Sequence, residues 1–342
     1  MAKILDHEAL TFDDVHMVPQ YSDVASRARE VDLSVRLKNT DIVLLAPFIA
    51  SPMDTVSGPE MAVAIQREKG GIAVLHRYCS IDQQAGAVST VVSAGCDVGA
   101  AVGVNGDYLE RASAVVAAGA KVLCVDIAHG HHAMMRDALG KLRPLFSNIH
   151  IMAGNAATLA AFTDLNAWGA DSIRIGIGSG SICETRVQTG HGYPMLQNIL
   201  DVAGAASSQI ISDGGIRGSG DIVKALGAGA DLVMMGSMFA GTDEAPGELI
   251  ASERGPVKVY RGMASKSAQV DWRGFHSSNE GVSTTVPYKG SLKMVLGDMI
   301  NGVKSGLSYS GARNIVELQG KATFVKVSGA AAVEATPHIL KR

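Results

Sequence analysis

The feature of this sequence that most restricts its fold is a series of eight short apolar runs spaced along most of the chain. They end in polar or glycine-rich residues and read IVLLAPFIAS, GIAVLH, VGAAVGV, KVLCVDIAHG, IHIMAGN, SIRIGIGSG, QIISDGG and DLVMMGS. Segments with helical spacing, such as ERASAVVAAGA and SGDIVKALGAGA, lie between most of them and close on a Gly-Ala pair that suits a helix end. Apolar strands alternating with helices indicate a parallel sheet, and eight repeats predict an α/β fold of the (β/α)8 TIM barrel type.

A doubly wound sheet is the alternative fold for the same alternation. It is less favoured because GIGSGS and DGGIRGSG come late in the chain, and no early strand carries a GxGxxG motif with an acid about 20 residues further on. A length of 342 residues is typical of one barrel domain. We therefore expect residues 1–342 to form a single catalytic domain with its chemistry on the rim after the strands.

Composition and charge restrict the partners of this chain. The formal net charge is -3, which argues against nucleic acid binding, and no apolar run reaches the roughly 18 residues of a membrane span. The four cysteines lie far apart without a CxxC pair, which argues against a zinc site or a disulfide framework. We expect a cytoplasmic protein whose partners do not include nucleic acid or a membrane.

Two late glycine-serine loops predict a phosphate site. DGGIRGSGD supplies Gly214, Gly215, Gly218 and Ser219 at the apparent start of a helix, where free backbone N–H groups and the helix dipole favour an anion. GSMFAGT follows the next run, and barrels often bind phosphate through the loops after their last two strands. Asp213, just before the glycines, could accept hydrogen bonds from ribose hydroxyls or could cap the helix.

The loop GIGSGSICETR carries the candidate nucleophile, Cys183. Among backbone N–H groups and before Arg186, a thiolate would be stabilised and reactive. Cys79, Cys96 and Cys124 lie in or near apolar runs and are expected to be inert packing residues.

A polar segment from about Val257 to Lys289, rich in Ser and Gly, interrupts the alternation of strands and helices. Long loops in compact barrels are usually lids or binding loops. We therefore predict a flap at about residues 262–289.

Ordered blocks along nearly the whole chain resemble those of the IMP dehydrogenase and GMP reductase family. The blocks are LTFDDVHMVPQYSDV, SPMDTVSGPEMA, DIAHGH, MAGNAAT, GIGSGSICETR, SDGGIRGSGDIVKALGAGADLVMMGSMFAGT, YRGM and EGVSTTVPYKG. The resemblance implies a homotetrameric barrel that binds a purine nucleotide monophosphate, GMP or IMP, beside a nicotinamide cofactor. The CBS regulatory insertion of many members is missing, because LHRYCSIDQQ runs directly into VGAAVGV.

The resemblance also implies roles by position. Cys183 would attack purine C2, Thr185 would activate the water or the leaving ammonia, and Glu280 would carry a proton. The residues implied to hold ribose and phosphate are Ser181, Asp213, Gly215, Gly236, Ser237 and Tyr260. Those implied around the base are Met53, Asn155, Gly262, Met263 and Gly281, and those beside the cofactor are Asp126, Ile127 and Ala128. A monovalent cation, K⁺, is implied at the carbonyls of Gly178, Gly180 and Cys183, with Glu334 of a neighbouring subunit.

The two family activities share a covalent thioimidate and differ in what reacts with it. The dehydrogenase oxidises IMP with NAD and hydrolyses the thioimidate to XMP, whereas the reductase releases ammonia from GMP and reduces the thioimidate with NADPH. Three features favour the reductase: the missing CBS insertion, the segment RVQTGHGYP, and the few residues VDWRGFHSS between GMASKSAQ and NEGV, which lack an Arg-Tyr or Arg-Phe pair to activate water.

Other features resemble the dehydrogenases. These are the opening LTFDDV block and the ending VEATPH, while Glu184 departs from the Thr or Ile common after the cysteine in both groups. We predict an NADPH-dependent GMP reductase. An IMP dehydrogenase without CBS domains and a divergent member acting on a related purine nucleotide remain open. So do a flavin-binding barrel, which would share the phosphate loops, and a catalytically silent nucleotide-binding barrel, against which Cys183, Thr185 and Glu280 count.

Overall fold

The computed structural model describes residues 2–205 and 207–335, and eight parallel strands close into a barrel at its centre. The strands, in chain order, are β1 Val15–Met17, β2 Val35–Arg36, β3 Val43–Leu44, β4 Phe48–Ala50, β5 Gly71–Leu75, β6 Gly99–Val102, β7 Val122–Asp126, β8 His150–Ala156, β9 Ser172–Ile175, β10 Gln209–Asp213, β11 Leu232–Met235, β12 Val257–Arg261, β13 Ser283–Pro287 and β14 Phe324–Lys326. The barrel uses β4 to β11 in sequence order, and β11 pairs with β4 to close it. This confirms the predicted (β/α)8 barrel, with one barrel strand in each of the eight apolar runs.

Helices pack around the barrel, and two short ones lie in the cysteine loop and in the flap. The helices are α1 Arg27–Glu30, α2 Pro59–Arg67, α3 Ile81–Ser93, α4 Tyr108–Ala117, α5 Ala133–Leu145, α6 Leu159–Ala167, α7 Thr185–Thr189, α8 Met195–Val202, α9 Ser219–Gly227, α10 Lys266–Arg273, α11 Leu292–Tyr309, α12 Ile315–Lys321 and α13 Gly329–Glu334. Capping residues mark where several helices begin. Ser80 and Gln83 form a capping box at α3, and Thr158 caps α6; both satisfy backbone N–H groups that are free at a helix start. No helix within the described ranges is both long enough and apolar enough to cross a bilayer.

The barrel strands divide their side chains between two buried layers. In β5, Ile72 and Val74 belong to the cluster inside the barrel, whereas Ala73 and Leu75 pack outwards against the helices. This alternation follows from the two-residue period of a strand. Because both faces are buried, the strands read as continuous apolar runs in the sequence.

A short hairpin closes the amino end of the barrel. Strands β2 and β3 pair antiparallel, and Leu37, Ile42 and Leu44 belong to the same buried cluster as the barrel interior. The amino end is thus filled with apolar side chains, and the carboxyl end is left for a ligand site.

The predicted flap is a structured hairpin. Strands β12 and β13 pair antiparallel from Val257 opposite Pro287 to Arg261 opposite Ser283, and α10 lies at their far end. Four of the five positions of β13 are exposed, so the apolar alternation that marks a half-buried strand is absent there. For that reason the sequence predicted a loop where the structure has two strands and a helix.

Candidate active site

A cavity of about 460 Å³ is lined by the residues that follow the barrel strands and by the flap. The residues assigned above to catalysis, nucleotide and cofactor all line it; they are Cys183, Thr185, Glu280, Met53, Asn155, Ser181, Asp213, Gly215, Gly236, Ser237, Tyr260, Gly262, Met263, Gly281, Asp126, Ile127 and Ala128. Glu334 instead lies exposed on α13. Residues 336–338 of the VEATPH ending lie outside the described residues.

A cysteine thiol, a threonine hydroxyl and a glutamate carboxylate are connected by hydrogen bonds on the wall of this cavity. The Cys183 Sγ donates to Thr185 Oγ1 at 3.2 Å, and the Thr185 hydroxyl donates to Glu280 Oε2 at 2.9 Å. All three residues are partly buried. The chain of hydrogen bonds provides a path by which a proton from the thiol can reach a carboxylate that also faces the cavity.

Backbone pairing holds the cysteine loop against the flap. Cys183 and Gly281 form an antiparallel bridge, the Glu184 N–H donates to the Glu280 carbonyl at 2.8 Å, and the Val282 N–H donates to the Ile182 carbonyl at 2.9 Å. Because backbone bonds fix this register, Glu280 lies beside the cysteine loop although it is far away in sequence.

Three residues named above for these loops do not line the cavity. Arg186 does not line the cavity and packs its aliphatic part along Gly178 and Gly192. Gly218 and Ser219 do not line it either, because Ser219 lies against Gly302 of α11. The glycines of that loop which do reach the cavity are Gly214 and Gly215.

At the glycine loops of the cavity, two glycines approach other groups closely. Gly214 has a φ of +97°, and a Cβ there would lie 2.9 Å from Ser179 Oγ, so this position requires glycine. A Cβ on Gly236 would lie 2.7 Å from the Tyr260 hydroxyl. Tyr260 is only 4% exposed, and burial raises its pKa to about 12. It therefore offers a neutral hydroxyl rather than a charge at any physiological pH.

A buried network forms the cavity floor. The Asn155 side-chain amide donates to Asp213 Oδ2 at 2.8 Å and to the Gly176 carbonyl at 2.9 Å. Arg174 donates to Asp213 Oδ2 at 3.0 Å and to Asp126 Oδ1 at 2.7 Å. Arg174 was not among the predicted site residues, although an arginine inside an otherwise apolar strand run was a visible signal, because a buried charge needs a partner.

An aromatic cluster connects the flap to the barrel rim. The rings of Tyr78 and Trp272 stack at 4.2 Å with an interplanar angle of 12°, and the Arg77 guanidinium lies over both rings, 5.5 and 5.7 Å from their centroids. Arg77 and Tyr78 line the cavity. These two residues were also missed, because nothing local in HRYC distinguishes them from an ordinary strand end.

Glu184 does not line the cavity that contains Cys183. Its carboxylate accepts a weak hydrogen bond from the Asn279 amide at 3.4 Å, and it lines a separate cavity of about 590 Å³ beside α10. The unusual acid after the cysteine therefore does not line the cavity in which Cys183 lies.

We expect Glu184→Gln to change kcat/KM less than about threefold, because a partly exposed polar contact of this kind contributes little. Steady-state assays of the variant beside the unmodified enzyme measure this. A change of more than about thirtyfold would show that the carboxylate acts on the chemistry after all.

The other three cysteines are wholly or partly buried. Cys96 and Cys124 are buried and Cys79 is half-buried. Burial raises the pKa of Cys124 to about 11, so its thiol stays protonated and unreactive at neutral pH.

A closed barrel of eight parallel strands with residues from several strand ends converging on its carboxyl rim is the architecture of TIM-barrel enzymes. The family model described as "IMP dehydrogenase / GMP reductase domain" matches residues 9–338. The chain therefore belongs to the IMP dehydrogenase / GMP reductase family, whose members are oxidoreductases.

Relatives with both names are similar to this chain. The inosine-5'-monophosphate dehydrogenase of Nitrosopumilus maritimus is 33% identical over 97% of this chain and 98% of its own length. The GMP reductase of Leishmania major is 33% identical over 98% of each chain. A crystal structure of GMP reductase from Trypanosoma brucei in complex with guanosine 5'-monophosphate superposes with a TM-score of 0.92, at 31% identity, over 97% of this chain and 98% of that one.

The alignments with these two relatives extend over 470 and 483 positions, more than the 342 residues of this chain. Both relatives therefore contain residues that this chain lacks. Because one of them is named a dehydrogenase and the other a reductase, the missing insertion does not separate the two activities.

Proposed function

We propose that this chain catalyses the NADPH-dependent reductive deamination of GMP to IMP and ammonia through a covalent thioimidate on Cys183. The observation that carries the proposal is the hydrogen-bonded series from Cys183 through Thr185 to Glu280. Ammonia loss from GMP requires a proton at the leaving nitrogen, and this series can supply one.

In the first step the thiol proton passes through Thr185 to Glu280, and the Cys183 sulfur attacks C2 of the guanine base. The C2–S bond forms, the bond from C2 to the exocyclic nitrogen breaks, and Glu280 returns the proton through Thr185 so that nitrogen leaves as ammonia. The thiol proton is the proton that ammonia gains, so the step balances. General acid catalysis of this kind contributes about 10² to 10⁴ in rate.

In the second step a hydride replaces sulfur at C2 and the Cys183 thiolate is released. NADPH, when bound, would supply that hydride. Asp126, Ile127 and Ala128 line the cavity where they could contact the nicotinamide ribose. The Asp126 carboxylate fits this role: burial raises its pKa, but Arg174 and Arg77 outweigh burial and lower it, so the group remains an ionised acceptor.

The K⁺ implied by the resemblance would be held by backbone carbonyls of the cysteine loop. Gly178 has a φ of +81°, and the Gly180 carbonyl accepts from the Cys183 N–H at 3.1 Å, so that carbonyl has one lone pair left for a cation. Glu334 is exposed, as required of a residue offered to a neighbouring subunit. We propose that K⁺ and a homotetramer complete the enzyme in this way.

The flap supports reduction over hydrolysis. Arg273 could have served as the water-activating arginine of a dehydrogenase, but it donates to the Ser277 hydroxyl at 2.9 Å and to the Phe275 carbonyl at 3.2 Å and does not line the cavity. Within the described residues the flap therefore directs no arginine at the thioimidate.

One observation favours IMP dehydrogenase as the second candidate. Arg77 and Tyr78 form an adjacent arginine and tyrosine that do line the cavity, although they come from the loop after β5 and not from the flap. If this pair activated water, the thioimidate would be hydrolysed to XMP.

The test is to incubate the protein with GMP and NADPH, and separately with IMP and NAD, following absorbance of the reduced cofactor and identifying the products. Consumption of NADPH with formation of IMP supports the reductase. NADH formation with XMP as product supports the dehydrogenase, in which case Arg77→Met should allow the thioimidate to accumulate. Absence of turnover with either pair would leave a nucleotide-binding barrel without activity.

A further inference from the structure

Arg174 is a charged residue inside the barrel, and the reaction proposed above does not use it. It belongs to β9 and is 6% exposed, with its guanidinium on the floor of the cavity that contains Cys183. Placing a charge there without partners would be costly. The partners that offset this cost are two carboxylates from different strands.

The guanidinium contacts one carboxylate on each side. Nη1 lies 2.7 Å from Asp126 Oδ1 at the end of β7, and Nε and Nη2 both lie 3.0 Å from Asp213 Oδ2 at the end of β10. Nη1 also donates to the buried Cys124 Sγ at 3.2 Å. The planar fork of arginine can span two acids in this way, whereas a lysine ammonium cannot.

These contacts leave each acid with one oxygen for a ligand. The bonds to Asp213 end on Oδ2, which also accepts from Asn155, so none of them uses Oδ1 of this cavity-lining residue. On Asp126, Oδ1 takes the Arg174 bond, and the nearest cation to Oδ2 is Arg77 at 3.8 Å. The remaining oxygens can accept ribose hydroxyls, Asp213 from the nucleotide and Asp126 from the cofactor.

We infer that Arg174 is a positioning residue that holds the nucleotide acid Asp213 and the cofactor acid Asp126 in one network, so that each ligand improves the site for the other. This inference rests on the proposed pairing of a purine nucleotide with a nicotinamide cofactor. Binding of either ligand orders a carboxylate that shares its arginine with the second site, and the resulting coupling must be equal in both directions.

The test compares Arg174→Met with a matched control, Arg143→Met. Arg143 pairs with Asp171 at 2.6 Å, with both side chains largely buried, but Asp171 precedes β9 and so lies at the opposite end of the same strand from the cavity. On a Cys183→Ala background, which prevents turnover, titration calorimetry gives the affinity for GMP and for NADPH, each alone and with the other ligand saturating.

We expect Arg174→Met to weaken both ligands about tenfold to a hundredfold and to abolish their coupling, while Arg143→Met lowers only the melting temperature. Arg174→Lys keeps the charge and should fall between wild type and Arg174→Met, which covers the case of a methionine variant that folds poorly. If Arg174→Met changes affinities and coupling no more than Arg143→Met does, the inference is overturned.

A second readout is the pH dependence of cofactor affinity. The groups that act on Asp126 are Arg174, Arg77, Tyr78 and Cys124. Without Arg174, burial is less opposed and the pKa of Asp126 rises, so cofactor affinity should fall as the pH is lowered through the acid range, earlier in Arg174→Met than in wild type. If XMP proves to be the product, the proposed reductase activity is wrong. The same titrations with IMP and NAD then still test whether Arg174 couples the two ligand sites.

Discussion

Cys183→Ala is expected to lower turnover by at least about a thousandfold and to leave nucleotide binding within about threefold of the wild type. In the proposed mechanism the Cys183 sulfur forms the covalent bond, and no other thiol lines the cavity among the described residues. Steady-state assays measure the loss, and titration calorimetry measures the binding. Intact-mass spectrometry of acid-quenched enzyme should detect a nucleotide adduct on wild type and none on the variant.

The matched control is Cys79→Ala. Cys79 is half-buried and lies outside the nucleophile's cavity, so its loss should leave kcat within about twofold. A Cys183→Ala variant that retains a tenth of the activity would rule out the covalent mechanism.

Glu280→Gln should lower kcat by about 10² to 10⁴ with a smaller change in KM, because the amide cannot take and return a proton as the proposed mechanism requires of the carboxylate. Thr185→Val should behave alike, and Thr185→Ser should recover most of the activity because it keeps the hydroxyl. Steady-state kinetics with GMP and NADPH check all three variants.

Ser278→Ala is the control for this pair. The Ser278 hydroxyl lies 3.5 Å from the other Glu280 oxygen, so its removal tests whether any contact to the carboxylate matters. Equal losses in Ser278→Ala and Glu280→Gln would point to a disturbed flap and not to a missing proton carrier.

The barrel could be predicted from the sequence because burial on both faces leaves a clear pattern. Strands such as β7 and β9 consist almost entirely of buried side chains, and the helices between them carry capping residues. The pair β12 and β13 was not predicted because β13 is largely exposed and polar. Its position is set by pairing with β12, a contact between segments far apart in the chain.

The residues of the candidate site also fall into those that the sequence predicted and those that it did not. Cys183 and the glycine loops stand out locally, and the family resemblance pointed to Thr185 and Glu280. The proximity of Glu280 to the thiol depends on pairing between the cysteine loop and the flap, which no local pattern encodes. Arg174 and Arg77 were missed because their importance comes from the carboxylates they meet across the barrel.

The stack of Trp272 on Tyr78 allows the position of the flap to be followed by tryptophan fluorescence. The chain has two tryptophans, and the other, Trp168, lies next to His131 at 6.0 Å, at the end of α6. With Trp168 replaced by phenylalanine, emission would report the surroundings of α10 alone. Separation of the stacked rings would then appear as a spectral change during single turnovers, so that any flap opening could be timed against the proposed release of ammonia and transfer of hydride without attaching a dye.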